Sequence, residues 1–106
     1  MKKLLVINPQ VYDDLSAIKK YISKDNPQEA EKVVRAISDK IESLSELSER
    51  GANLQNKTRQ KTKYKFILVL KNYAILYYTT ADTVHVTLVM HAARDLSALR
   101  LINPEN

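Results

Sequence analysis

The sequence contains no cysteine and a single glycine in 106 residues. Without thiols, neither a disulfide framework nor a thiolate metal site is available, and the composition suits a reducing cytoplasm. One glycine leaves no glycine-rich phosphate loop, and no serine-centred nucleophile elbow or zinc signature is present. Long apolar runs are also lacking. After Met1-Lys2-Lys3, the run Leu4-Leu5-Val6-Ile7 is stopped by Asn8-Pro9. That is too short for a signal-peptide core, and no stretch approaches the ~20 apolar residues of a membrane span. The run reads as a first strand. With 44% hydrophobic residues, positions 1–106 fit a single domain with one core.

Acidic residues are missing from one long window. Between Arg50 and Ala81 there is none, while Arg50, Lys57, Arg59, Lys61, Lys63, Lys65 and Lys71 all fall there. The net charge of +5 is therefore concentrated in this segment, which suits a polyanionic or acidic partner.

Two Asn-Pro pairs mark helix starts, because Asn caps free amides and Pro lacks a donor that would go unpaired. Asn8-Pro9 opens a helix to about Lys24, with Asp13 and Asp14 toward its positive end and Val11, Leu15, Ile18 and Ile22 on one side. Asn26-Pro27, with Glu29 placed as in a capping box, opens a second helix, with Val33, Val34, Ile37, Ile41, Leu44 and Leu47 as its inner stripe. The short link between them predicts a helical hairpin, and Gly51 marks the exit from the second helix. Beyond it the period becomes alternating. Strands are predicted over about Gln60–Leu70, Tyr73–Tyr78 and Val84–Met90, with Lys71-Asn72 as a turn. In the last strand Val84, Val86, Leu88 and Met90 fall on one face and His85, Thr87, Val89 and His91 on the other. A short helix at about Asp95–Leu101 completes the order β-α-α-β-β-β-α. This is an α+β domain with an antiparallel sheet covered by a helical pair.

Chemistry has few residue types to work with. Lys57, Arg59, Lys61, Lys63 and Lys65 occupy successive odd positions, so an extended chain throws them to one side and Tyr64, Phe66 and Leu68 to the other. Such a row can track phosphates through counterion release, or meet an acidic protein. A solvated strand face kept from edge pairing by lysines has the same pattern. His91, Arg94 and Asp95 form a second cluster: a histidine exchanges protons near neutral pH, and an arginine holds phosphate or developing negative charge. The plain alternative is a histidine packing a strand end beside a surface ion pair. His85 lies on the same predicted face as His91, but two histidines without a converging acid make no metal site. Tyr64, Tyr73, Tyr77 and Tyr78 are suited to base stacking and equally to sheet packing.

Taken together, Asp14-Leu15 with Ile18 and Tyr21-Ile22, Asn26-Pro27 with Ala30, and Ile37 with Ile41 and Leu44 have a recognisable order. It continues through Tyr64-Lys65, Tyr73-Ala74-Ile75-Leu76-Tyr77 and Val89-Met90-His91-Ala92-Ala93-Arg94-Asp95-Leu96. The chain resembles RelE/ParE toxins of bacterial type II toxin–antitoxin systems over nearly its whole length. The resemblance implies a cytoplasmic, growth-inhibiting toxin without a cofactor, held in an oligomeric complex by a cognate antitoxin that wraps a helix and an extended segment around it. It also implies one of two targets. RelE-like members cut mRNA on the ribosome as metal-independent endoribonucleases; here His91, Arg94, Lys63 and Lys65 would be catalytic, and Lys57, Arg59, Lys61 and Tyr77 would bind nucleic acid or partner. ParE-like members inhibit DNA gyrase without nuclease activity. Ala74, standing where an arginine often follows the strand tyrosine, and the His91-x-x-Arg94-Asp95 ending look like that branch. A degenerate member acting only as an antitoxin-bound repressor is a third reading.

Overall fold

Both Asn-Pro pairs start helices. In the computed structural model, which describes residues 2–53 and 63–92, the chain runs through β1 (Leu4–Ile7), α1 (Pro9–Ser23), α2 (Pro27–Leu47), a 3-10 turn (Ser48–Arg50), β2 (Ala52–Asn53), β3 (Lys65–Val69), β4 (Tyr73–Thr79) and β5 (Thr83–His91). The Asn8 side chain accepts from the Gln10 amide at 2.9 Å and that of Asn26 from the Glu29 amide at 3.0 Å, each satisfying a donor the helix leaves unpaired. Asp13 and Asp14 fall in the second turn of α1 rather than the first, where the helix dipole has little hold on them. Asp14 is used differently, as shown below. The helix predicted at Asp95–Leu101 lies outside the described residues.

Five strands form one sheet in the order β1-β5-β4-β3-β2. β2 through β5 are antiparallel neighbours, but β1 lies parallel to β5, pairing Leu4 with Thr83 and Ile7 with Val86. The expected antiparallel sheet is therefore mixed along this edge, because its outermost strand comes from the start of the chain and meets the last strand.

The helical hairpin covers one face. Val11, Val33, Ile37, Ile41 and Leu44 pack there against Val69, Ile75, Tyr77, Val84, Val86 and Val89, all essentially buried. Burying one such aliphatic side chain contributes roughly 1.5–3 kcal/mol, which is why this stripe dictates the docking of the hairpin. Leu47, expected in the inner stripe, is 37% exposed, because the helix ends there. On the opposite sheet face Ala74, Leu76 and Met90 are buried among Tyr64, Phe66, Leu88 and Ala92.

One irregularity decides which residues share a face. Leu76 pairs with Leu88 but Tyr77 pairs with Val86, so Thr87 is an extra residue in β5, and its hydroxyl donates to the Leu76 carbonyl at 3.0 Å. Such a bulge reverses the alternation beyond it. Val84, Val86 and Val89 face the helices, while Leu88 and Met90 face the other way. The single four-residue apolar face predicted for this strand is thus split in two. Gly51 also departs from expectation: its φ of −72 is not that of a left-handed helix cap.

Candidate functional site

Among the described residues, Lys63, Lys65 and the two histidines do not converge on one point. β3 begins at Lys65, with Lys63 at a bend before it, so the shared parity of these two lysines no longer places them together. Lys65 pairs with Tyr77 across the sheet on the helix-facing side, and its ammonium lies 3.4 Å from Glu49. With Glu49 mostly in solvent, that ion pair contributes at most about 1 kcal/mol. Lys63 turns to the opposite face. Its Nζ sits 4.1 Å from the centroid of the Tyr78 ring and 5.9 Å from that of Tyr64.

An aromatic platform surrounds Lys63. Tyr78 and His85 are direct cross-strand partners, and their rings stack with centroids 4.6 Å apart and planes 9° apart. Tyr64 meets Tyr78 edge to face at 5.6 Å. Four side chains from three segments thus meet on the sheet face away from the helices: a cation, two phenols and an imidazole. A nucleobase can stack on such rings, an ammonium can take a phosphate, and an imidazole can move a proton near neutral pH. His85, read from the sequence only in connection with metal binding, is the histidine that joins the basic segment. The signal was Tyr78 and His85 flanking one hairpin, whose turn sets the register that makes them partners.

His91 lies elsewhere. It pairs with Tyr73, edge to face at 5.9 Å, at the other end of β4 and on the helix side. Tyr78 lies five positions beyond Tyr73, roughly 16 Å of extended strand. His85 and His91 therefore do not share a face, contrary to the unbroken alternation, because Thr87 intervenes. Tyr77, expected at a binding surface, is fully buried instead. Its hydroxyl donates to the Ser48 carbonyl at 2.6 Å, and burial raises its pKa above the ordinary tyrosine value, with the Gly51 amide opposing and the Glu49 charge adding to the rise. Its parity with Ile75 puts it in the core. Lys57, Arg59, Lys61 and Arg94 lie outside the described residues.

The comparisons agree with this architecture. Residues 5–96 match the model of the ParE toxin of the type II toxin–antitoxin system parDE. Toxin RelE2 of Caulobacter vibrioides is 32% identical over 81 residues, covering 76% of this chain and 85% of that protein. A chain of the chromosomal ParDE TA system from P. aeruginosa superposes with a TM-score of 0.67 at 15% identity, covering 85% of this chain and 96% of the other, which establishes the shared fold. A family match spanning nearly the whole chain, a relative at this identity and the hairpin-on-sheet fold coincide, and the chain belongs to the ParE toxin family of type II toxin–antitoxin systems, within the RelE/ParE superfamily.

Proposed function

We propose that this toxin inhibits growth as a ribosome-dependent mRNA endoribonuclease, working in the cytoplasm through the sheet face opposite its helices and held in check by a cognate antitoxin in an oligomeric complex. The observation that carries the reading is the Lys63, Tyr64, Tyr78 and His85 cluster. Lys63 neutralises the scissile phosphate, Tyr78 and Tyr64 stack on splayed bases, and His85 exchanges a proton with the attacking or leaving oxygen. Lys57, Arg59, Lys61 and Arg94 contribute further cations to RNA binding, whereas Lys65, on the helix-facing side beside Glu49, does not reach this cluster. His91 packs on Tyr73 at the far end of the sheet while His85 stacks on the ring that Lys63 covers, so proton transfer falls to His85.

The test is cleavage of mRNA on translating ribosomes by purified variants. Lys63→Ala and His85→Ala are expected to lower the rate by about 10²–10⁴-fold, the usual worth of a charge stabiliser or proton carrier, and His91→Ala to retain most of it. Loss with His91→Ala alone would move the chemistry to the other end of β5.

Inhibition of DNA gyrase is the second reading, favoured by Ala74, which is fully buried in the sheet and offers no guanidinium beside the platform. Pulse labels after induction separate the two. An early fall in protein synthesis supports RNA cleavage; an early fall in DNA synthesis, with supercoiling by purified gyrase blocked, supports the other.

A further inference from the structure

A second polar site lies on the far side of the sheet, between α1 and the end of β5. β1 accompanies β5 only as far as Ile7 and Val86; the chain then leaves the sheet to begin α1, and β5 continues to His91 alongside that helix. At this point the Val89 amide donates to Asp14 Oδ2 at 2.9 Å, so a carboxylate oxygen accepts where a neighbouring strand would offer a carbonyl. Asp14 Oδ1 accepts from the Gln10 side chain at 2.9 Å. Among the described residues no cation is within ion-pair range of this carboxylate.

Asp14, Ile18 and Tyr21 follow one stripe of α1 and face Tyr73, Val89 and His91 across a cavity of about 450 Å³. Tyr21 is 69% exposed. A carboxylate without a cation, two phenol rings and an apolar floor form a recognition site for a cationic side chain. A planar guanidinium suits it better than an ammonium, since it can stack on a tyrosine ring while pointing donors at the carboxylate, and its methylene stem covers apolar wall.

We propose that this cavity receives an arginine side chain from an extended segment of a protein partner passing over its mouth. The lone carboxylate between two tyrosine rings is complementary in charge and shape to such a side chain. Resting on the toxin reading, the partner is the neutralising antitoxin, whose basic anchor here is separate from any acidic contact with the lysine-bearing face.

The experiment titrates ¹⁵N-labelled toxin with acetyl-Ala-Arg-Ala-amide and with the same peptide carrying citrulline, a neutral isostere. The arginine peptide is expected to move the Val89, Asp14 and Tyr21 amide signals, and citrulline to bind at least about tenfold more weakly, the worth of one charge-assisted hydrogen bond. Asp14→Asn, which keeps an oxygen for the Val89 amide while removing the charge, should show the same loss, and Tyr21→Ala, at an exposed position, should weaken binding without touching the core. Equal response to both peptides, shifts confined to the Lys63 face, or no shift at all overturns the proposal. In cells, Asp14→Asn and Tyr21→Ala should remain growth-inhibitory yet be less well rescued by the adjacent gene product. A wild-type chain that never inhibits growth sinks the toxin reading instead, and the peptide titration still decides the pocket.

Discussion

The Tyr77 hydroxyl reaches across the core to donate to the Ser48 carbonyl at 2.6 Å, tying the middle of the sheet to the turn that ends the helical hairpin. Gly51 sits against the same ring: a Cβ there would fall on the hydroxyl, 2.8 Å from the ring carbon Cζ and 3.0 Å from the Phe66 carbonyl. Tyr77→Phe keeps the packing but orphans the carbonyl, and is expected to cost about 1–3 kcal/mol. Gly51→Ala forces the ring or the backbone to move, for about 1–3 kcal/mol. Urea unfolding midpoints at unchanged m-value would measure both losses.

The same tyrosine predicts a pH response. Its folded-state pKa is raised above 10.0, mainly by burial. The unfolded chain therefore loses this proton first as pH rises, and the folded state holds the extra proton. The contribution is fully present below about pH 10, the unfolded value, and is lost as pH climbs through the raised folded value. Wild type should lose stability more steeply than Tyr77→Phe above that pH, with parallel curves below it. Parallel curves throughout would mean that the phenol ionises as easily inside as out.

The β3–β4 connection carries backbone strain. Leu70 and Lys71 adopt φ of 55 and 67, a region that side chains with a Cβ occupy at a cost of about 1–2 kcal/mol each. Lys71→Gly removes that penalty and adds some unfolded-state entropy, so a net gain of about 0.5–1 kcal/mol is expected, read as a higher melting temperature. Lys71→Ala should gain nothing.

At the start of α2, Asn26→Ala removes the side chain that accepts from the Glu29 amide and should cost about 1 kcal/mol, whereas Asn26→Asp should be nearly neutral. Thermal melts of the two variants side by side would separate capping from simple side-chain loss.

The sheet-face platform makes a salt-dependent prediction. If Lys63 contacts phosphate, Lys63→Ala should reduce the slope of log affinity for single-stranded RNA against log salt by about 0.7, the value for one phosphate contact. Tyr78→Ala should weaken binding by about 1–3 kcal/mol with the slope unchanged, because stacking releases no counterions. An unaltered slope with Lys63→Ala would remove this lysine from the RNA path.

Elements governed by local rules were legible in the sequence. The Asn-Pro pairs located both helices to within a residue at their starts, because a cap and a proline act within a single turn. Tyr73–Thr79 and Thr83–His91 emerged from alternation within a residue of their observed ends. The stripe of Val33, Ile37, Ile41 and Leu44 identified the buried side of the second helix, since a periodic apolar face has nowhere else to go.

Which of those residues meet was decided only in three dimensions. A bulge belongs to a pair of strands rather than to either one, so Thr87 could not be singled out in a run that alternates without interruption, and from that one residue the separation of His85 from His91 follows. Lys63 and Lys65 share a parity in sequence yet reach opposite faces, because only one of them is in the strand. Tyr77 and Tyr78 are adjacent and chemically identical, and the sheet buries one against Ser48 while leaving the other to stack on His85. Sequence determined the elements and the sign of the surface, since both depend on neighbours along the chain. Tertiary structure decided the site, since side chains are brought together by strand register and layer packing.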